Sequence, residues 1–221
     1  MKTLKTVTTI FSFFLLISCF GFTNDNNVTT QEKSETIVQT NKDLKVAYFA
    51  SGCFWCVEAI FESVRGVEEA VSGYAGGFTK DPTYRKIGTG RTGHAETVAV
   101  HYNPEKVSFK TLVKVFFGSH DPTTKNGQHP DYGTQYRSIA FYGNDKEKKI
   151  IDDVIATLNK EVYKGKIVTE VTKHTKFYKA EEYHQNYERR NPNQPYVKAV
   201  SIPRLNRFKK KFPQVLKKGN H

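Results

Sequence analysis

The sequence contains very few cysteine residues, because only three of its 221 residues are Cys. Three thiols are too few for a disulfide scaffold, which excludes a small secreted protein held together by cystine bridges. Each cysteine therefore needs its own explanation. Hydrophobic residues make up 38% of the chain and aromatic residues 13%. This fraction is enough to bury a core, so a wholly disordered chain is excluded as well.

The start of the chain lacks a hydrophobic run long enough to cross a membrane. The apolar run at residues 10–17 is shorter than the roughly 20 residues that a spanning helix needs. It follows two lysines and leads into Leu16–Cys19, which resembles the lipobox of bacterial lipoproteins. We therefore expect residues 1–18 to be a lipoprotein signal peptide and Cys19 to carry the lipid. The protein would be a membrane-anchored lipoprotein of the cell envelope, exposed outside the cytoplasm; an ordinary secretory signal and an uncleaved anchor are the alternatives.

Acidic residues are also scarce: 34 Lys and Arg face 22 Asp and Glu, so the formal net charge is +12. No Asp or Glu follows Lys198. We expect residues 201–221 to be a solvated basic tail near a membrane, and we expect no nucleic-acid partner for an exported protein. Residues 19–43 are rich in Asn, Thr, Gln and Glu without an apolar period, which predicts a flexible tether. The folded domain is therefore expected at residues 44–200.

Two hydrophobic periods follow each other at the start of this domain. Residues 44–49 alternate as a strand does, and after Ser51-Gly52 the apolar residues recur at i, i+3, i+4 and i+7, as in a helix that ends at Gly66. The same reasoning predicts strands at 67–74, 95–102, 137–142 and 167–171, and helices from Ser108, over 145–162 and over 180–189. The leading order is βαββαβ, which is typical of ferredoxin-like folds. The prediction is an α+β sandwich of this type with an added helix, strand and helix.

Cys53 and Cys56 form a C-x-x-C motif at the junction of the first strand and the first helix. The N-terminal amides and dipole of a helix stabilise a thiolate, which favours Cys53 as a nucleophile. Cys56 lies about one helical turn further on, close enough for an internal disulfide. A pair of buried apolar cysteines and a zinc half-site are the alternatives. No second C-x-x-C and no histidine pair at ligand spacing follows, so we expect no metal.

A series of further motifs accompanies the one around Cys53 and extends over residues 44–192. In chain order the series is Gly52-Cys53-Phe54-Trp55, Gly73-Tyr74 with Gly76-Gly77, Pro82-Thr83-Tyr84-Arg85, Gly90–Glu96, His120-Asp121-Pro122, Asp131–Ser138 and Phe177–Tyr187. These motifs resemble those of peptide methionine sulfoxide reductases of the A type. The resemblance implies an enzyme that reduces methionine S-sulfoxide, free or in oxidised proteins, to methionine.

Reduction of a sulfoxide by a thiolate needs an acid for the departing oxygen, hydrogen-bond donors for the developing charge and an apolar cup for the methyl group. The resemblance implies these roles: Cys53 as nucleophile, Phe54 and Trp55 as the cup, Glu96 as the acid, Tyr84 and Tyr136 as donors to the oxygen, and Asp131 as support for the site. Taken singly, each has a plainer explanation. Trp55 could be a core residue, Glu96 a solvated strand end, the two tyrosines packing residues and Asp131 a turn carboxylate.

The chain departs from the family in its recycling thiols. Many members carry one or two Cys after the Asn-Pro that corresponds to Asn191-Pro192, whereas this chain has no Cys after Cys56. Recycling by a distal thiol is therefore impossible within the chain. The resemblance to members with a GCFWC motif implies that Cys56 captures a Cys53 sulfenic acid as a disulfide. A thioredoxin-like dithiol would be the reductant, with no bound cofactor, and we expect a monomer.

Two other functions compete with this interpretation. A general thiol–disulfide oxidoreductase also has a strand, a C-x-x-C and a helix, but it needs neither the βαββαβ order nor the acid and tyrosines of the proposed site. A non-enzymatic adhesion or surface-binding lipoprotein could use the basic tail, but it leaves the whole set of site residues unexplained. Turnover of separated sulfoxide epimers distinguishes the three.

Overall fold

The computed structural model describes residues 44–219, so the predicted signal peptide, Cys19 and the predicted tether lie outside the described residues. The strands of this part are β1 (Lys45–Ser51), β2 (Val67–Ala75), β3 (Ala95–Tyr102), β4 (Gly127–Gln128), β5 (Asp131–Tyr132), β6 (Ser138–Tyr142), β7 (Glu170–Lys173) and β8 (Phe177–Lys179). Its α-helices are α1 (Phe54–Glu62), α2 (Tyr84–Ile87), α3 (Phe109–Gly118), α4 (Asp145–Leu158), α5 (Tyr187–Arg190) and α6 (Ile202–Lys211). Short 3-10 turns lie at Thr134–Tyr136, Glu182–His184 and Pro213–Val215, and π turns at Asn159–Tyr163 and Val197–Ser201.

Six of the described strands form one mixed sheet in the order β7-β6-β1-β3-β2-β8. Antiparallel pairs join the central four strands, β6-β1-β3-β2, and α1 and α3 connect them in the βαββαβ order. β7 adds to β6 in parallel, β8 adds to β2 antiparallel, and β4 and β5 form a separate hairpin. The prediction of an α+β, ferredoxin-like sandwich with added elements is thus confirmed.

Aromatic side chains fill the space between the sheet and the helices α1 and α3. The ring of Phe49 on β1 lies 5.2 Å from that of Phe61 on α1 and 5.1 Å from that of Phe116 on α3. All three side chains are fully buried. Burial of one such side chain contributes about 1.5–3 kcal/mol. The cluster therefore packs α1 and α3 against β1 and fixes the position of α1, at whose start the C-x-x-C motif lies.

Side-chain caps begin the two long helices after β3. Ser108 accepts a hydrogen bond from the amide of Thr111 at 3.1 Å, as the sequence predicts, and Asn144 accepts one from the amide of Glu147 at 3.0 Å. The helix predicted over 145–162 ends as α-helix at Leu158 and continues as a π turn. The strand predicted at 167–171 is present but begins later, as β7.

The helix predicted over 180–189 is wrong as a continuous element. It is divided into a 3-10 turn and α5, because Gln185 is extended and Asn186 has a φ of +53°. Tertiary hydrogen bonds replace those of a helix. The Gln185 side chain accepts from the amide of Ser72 and donates to the carbonyl of the same residue, each at 3.0 Å. The amide of Asn186 donates to the carboxylate of Glu58. Polar partners on β2 and α1 therefore override the local helical pattern.

The structure also differs from the prediction of a basic tail at 201–221. Residues 202–211 form α6, whose Phe208 is buried, and the amide of Lys217 donates to the carbonyl of Ser63 at 2.9 Å. The boundary predicted at residue 200 rests on the charge of the segment alone. The apolar residues spaced along the segment make it part of the folded domain. Three lysines, Lys209, Lys210 and Lys211, occupy the last turn of α6, where they complement the helix dipole.

No helix within residues 44–219 is long and apolar enough to span a bilayer.

Candidate active site

The C-x-x-C motif begins at a tight bend between β1 and α1. Cys53 is the N-cap residue of α1, and Gly52 before it has a φ of +88°, a conformation that favours glycine. A Cβ atom on Gly52 would lie 2.7 Å from the Cβ atom of Gln128. Only glycine therefore lets the chain turn here against the β4 strand. The bend leaves Cys53 6% exposed, at the floor of a site formed by several loops.

Glu96 lies directly beside the start of α1. It is the second residue of β3, is 2% exposed, and accepts a hydrogen bond from the amide of Phe54 at 2.9 Å. This amide is one of the unpaired donors at the helix N-terminus. Burial raises the pKa of Glu96 to about 8, and the nearby charge of Asp131 adds to the effect. Glu96 is therefore protonated at neutral pH and is able to act as an acid.

Two tyrosine hydroxyls face the same space. Tyr84 opens α2 and Tyr136 ends a 3-10 turn, and their hydroxyls lie within hydrogen-bonding reach of each other. Burial raises the pKa of Tyr84 to about 12, and the charges of Glu96 and Cys53 act in the same direction. Burial followed by the charge of Glu96 also raises the pKa of Tyr136 above its ordinary value. Both hydroxyls keep their protons and can donate to an oxygen.

Asp131 is held at the site by the β4–β5 hairpin. Its carboxylate accepts a hydrogen bond from the hydroxyl of Tyr196. Tyr196 in turn lies within hydrogen-bonding reach of the Cys53 thiol, and burial together with the charges of both cysteines raises its pKa. Tyr196 thus links Asp131 to Cys53. The sequence did not single it out, because it lies outside the recognised motifs.

Phe54 and Trp55 lie in an aromatic cluster. The ring of Phe54 lies 6.1 Å from that of Tyr84 and 4.9 Å from that of His184. Trp55 stacks on Tyr187 with ring centroids 3.8 Å apart, and its Nε1 donates to Nδ1 of His184 at 3.1 Å. Burial lowers the pKa of His184, which keeps the ring neutral and Nδ1 free to accept. His184 and Tyr187 thus position Phe54 and Trp55, and the sequence marks them only as members of the Phe177–Tyr187 motif.

The two cysteines share one proton and differ in their environments. Burial, a hydrogen bond to Cys56 and the charge of Glu96 raise the pKa of Cys53 well above its ordinary value. The hydrogen bond from Cys53 and the positive charge of Arg204 lower the pKa of Cys56 to about 6, against the opposing effect of burial. The helix N-terminus at Cys53, which favours a thiolate, is therefore opposed in the resting pair by burial and by the adjacent carboxyl.

The structure brings eight of the predicted site residues together, and Cys19 lies outside the described residues. Within residues 44–219 no group of three or more His, Cys, Asp and Glu side chains is arranged to hold a metal ion.

His94 holds the glycine-rich loop between β2 and β3 in place: its Nδ1 accepts from the amide of Gly77 at 3.2 Å, and its Nε2 lies 2.9 Å from the carbonyl of Thr79. A Cβ atom on Gly77 would lie 2.4 Å from the amide nitrogen of His94.

Comparison with known proteins agrees with this geometry. Residues 45–216 match the family described as peptide methionine sulfoxide reductase. The peptide methionine sulfoxide reductase MsrA of Trichodesmium erythraeum is 50% identical over 171 residues, which cover 77% of this chain and 97% of that protein. The MsrA of Acinetobacter baumannii is 45% identical over 174 residues, which cover 79% of this chain and 99% of the relative.

Two solved structures share the fold. Mxr1 from Saccharomyces cerevisiae in reduced form matches with a TM-score of 0.65 and 35% identity, covering 69% of this chain and 88% of that one. Methionine sulfoxide reductase A of Corynebacterium diphtheriae matches with a TM-score of 0.63 and 34% identity, covering 69% of this chain and 77% of that one. The chain therefore belongs to the peptide methionine sulfoxide reductase family, of the A type, whose reaction is the reduction of methionine S-sulfoxide to methionine.

Proposed function

We propose that Cys53 attacks the sulfoxide sulfur, that Glu96 protonates the sulfoxide oxygen, and that Cys56 then forms a disulfide with the oxidised Cys53. The buried, protonated Glu96 bonded to the first amide of the helix that Cys53 caps is the observation that carries the proposal. A thiol–disulfide exchanger has no use for a neutral carboxylic acid at this place. A sulfoxide reductase needs one to convert the oxygen into a leaving group.

The first step transfers oxygen to Cys53. As Cys53 attacks the sulfoxide sulfur, its proton passes to Cys56, which already accepts a hydrogen bond from it. Glu96 gives its proton to the oxygen, while Tyr84 and Tyr136 donate hydrogen bonds to it and stabilise the charge. Methionine leaves and Cys53 becomes a sulfenic acid. Phe54 and Trp55 form the apolar surface that receives the methyl group of the substrate.

The second step regenerates the enzyme. Cys56 attacks the sulfenic acid of Cys53, which yields a disulfide and water. The two residues are adjacent on the first turn of α1 and both thiols are free in the structure. A thioredoxin-like dithiol then reduces the disulfide by exchange, so the enzyme needs no bound cofactor. We propose that the chain acts as a monomer on oxidised proteins or free methionine sulfoxide.

Separated sulfoxide epimers test the proposed reaction. The purified protein is incubated with the S or the R epimer of methionine sulfoxide and dithiothreitol, and methionine is measured. We expect consumption of the S epimer alone. Equal turnover of both epimers, or of neither, would contradict the proposal.

We also propose that the enzyme is anchored to a membrane of the cell envelope through Cys19. The proposal is supported by the sequence Leu16-Ile17-Ser18-Cys19 after a basic start and a short apolar run. Mass spectrometry of the membrane fraction should show a mature chain that begins at an acylated Cys19. A mature chain that begins elsewhere and remains in the soluble fraction would refute it.

A further inference from the structure

Cys56 must lose a proton in a place that solvent does not reach. Its side chain is 1% exposed, and in the first step of the proposed reaction it receives the proton of Cys53. A thiol is a poor nucleophile until it is ionised, so this proton has to leave before Cys56 attacks the sulfenic acid. The inference below rests on that proposed function.

A buried hydroxyl and a carboxylate connect Cys56 to the surface. Ser201 ends the π turn before α6, is 0% exposed, and lies within hydrogen-bonding reach of the Cys56 thiol. The hydroxyl of Ser201 also bonds to the carboxylate of Glu188 on α5. Glu188 lines a cleft of about 620 Å³ between α1, α5 and α6, together with Trp55 and Leu205. The chain of contacts from Cys56 to this cleft is therefore unbroken.

We propose that Ser201 and Glu188 form a proton relay that removes the proton of Cys56 before the resolving disulfide forms. The Cys56 proton moves to Oγ of Ser201 as the Ser201 proton moves to Glu188. Ser201 then donates a hydrogen bond to the new thiolate and accepts one from the protonated Glu188. Each atom on the path thus reverses its hydrogen-bond role without a change in position.

The remaining bonds balance in the same step. The Cys56 thiolate forms a bond to the sulfur of Cys53, whose S–O bond breaks. The departing hydroxide takes a proton from Glu96, which solvent has recharged after the first step, and leaves as water. Cys56 is oxidised and the Cys53 sulfur is reduced, so no external oxidant is needed. Glu188 releases its proton into the cleft.

Charged and titratable groups surround both ends of the relay. Cys56 faces Cys53, Tyr196, Glu96, Arg204 and Glu188; the positive charge of Arg204 stabilises its thiolate, and the negative charge of Glu188 opposes this effect until Glu188 takes up the proton.

Glu188 faces Lys209 and Glu62 as well as Ser201. Burial raises the pKa of Glu188 above its ordinary value, which brings the acceptor closer to the thiol that it deprotonates. Proton transfer between groups of similar pKa is the condition under which a general base is most effective.

Single-turnover kinetics of Glu188→Gln and Ser201→Ala test the relay in the full chain. Reduced enzyme is mixed with methionine S-sulfoxide, and methionine release is followed separately from loss of the two free thiols, measured by quenching with a thiol reagent and mass spectrometry. We expect methionine release to stay within about twofold of wild type. Disulfide formation should slow by about 10²-fold near pH 7, as loss of a general base does.

Glu62→Gln is the matched control, because Glu62 lines the same cleft and has no hydrogen bond to Ser201. We expect it to form the disulfide at the wild-type rate. Wild-type disulfide rates at every pH in both relay variants would overturn the relay. Equal slowing of both steps in both variants would also overturn it, because it indicates a structural role. If wild-type enzyme releases methionine and forms no Cys53–Cys56 disulfide, the proposed function itself is wrong.

Discussion

The two cysteines of the first turn of α1 lie in regions of opposite character. Cys53 faces the carboxyl of Glu96 on β3 and the tyrosine hydroxyls of α2 and of the turn after β5, all within the recognised motifs, together with the hydroxyl of Tyr196. Cys56 faces Ser201 and Arg204 from the C-terminal segment. Burial, with the carboxyl of Glu96 adding to it, raises the pKa of Cys53, whereas the hydrogen bond from Cys53 and the guanidinium of Arg204 lower that of Cys56. The thiol that receives the oxygen and the thiol that then forms the disulfide thus have different surroundings, although they lie only three residues apart at the start of α1.

Removal of either thiol should have the largest effect on activity, and the two variants should fail at different steps. In Cys53→Ser no sulfur attacks the substrate, so even the first methionine should not be released. In Cys56→Ser the acid and the nucleophile remain, so about one methionine per enzyme should appear, because the chemistry of the first step does not consume Cys56. Thioredoxin-dependent turnover should then fail, since no disulfide forms for exchange. Full steady-state turnover of Cys56→Ser with thioredoxin would show that the donor attacks Cys53 directly.

Glu96→Gln should have the next largest effect, because Glu96 supplies a proton in both steps of the proposed reaction. An amide cannot deliver the proton, so methionine release should fall about 10²- to 10⁴-fold. The wild-type rate should be level between a pH of about 6 and about 8, fall below 6 as Cys56 is protonated, and fall above 8 as Glu96 loses its proton. The Gln variant should lose the fall above pH 8 while its thermal unfolding midpoint stays close to that of wild type. A wild-type rate in the variant would remove Glu96 from the mechanism.

Arg204→Gln should have a smaller effect, confined to the second step. Loss of the positive charge raises the pKa of Cys56, and a rise of one unit from about 6 would lower the thiolate fraction, and with it the rate of disulfide formation, by about twofold at pH 7. Arg204 also donates to the carbonyls of Ser51 and Ser119, each at 2.8 Å. Arg204→Lys, which keeps the charge, is therefore the control and should retain most of the rate. Equal loss in both variants would indicate that Arg204 acts only through these hydrogen bonds.

Phe208→Ala should have the smallest effect on the chemistry of Cys53 and a measurable one on stability. Phe208 is 2% exposed and its ring lies 5.2 Å from that of Phe212. Removal of a buried Phe side chain lowers the free energy of unfolding by about 3–5 kcal/mol. Denaturant unfolding would measure it, with the exposed Lys210→Ala as the control. An unchanged unfolding free energy in Phe208→Ala would mean that α6 is the solvated tail that its charge suggested.

The motif residues around Cys53 could be predicted because each is held by local geometry. Gly52 requires a positive φ and Cys53 follows it at a helix start, so the nucleophile could be placed from the sequence. Glu96 could be placed on β3 by alternation, although its burial could not be predicted, because that depends on α1 covering the strand. The raised pKa of Glu96 is a consequence of that burial.

The partners of Cys56 could not be predicted, because they are far apart in the chain. Ser201 and Glu188 are separated from Cys56 by more than a hundred residues, and neither belongs to a recognised spacing. The positive charges of α6 indicated a solvated segment when read by composition. The apolar residues between them decide that the helix packs, because they remove surface from water.

The sequence by itself determined the order of elements, the family and the identity of the residues around Cys53, because hydrophobic periods and motif spacings are local properties. Only the tertiary structure decided the protonation of those residues and the surroundings of Cys56. Burial of Glu96 under α1 makes it an acid, and the return of the chain through α5 and α6 brings a hydroxyl, a carboxylate and a guanidinium to the second thiol. A pKa depends on the distance to charges and to water, and these distances are set by packing between segments that are remote in the sequence.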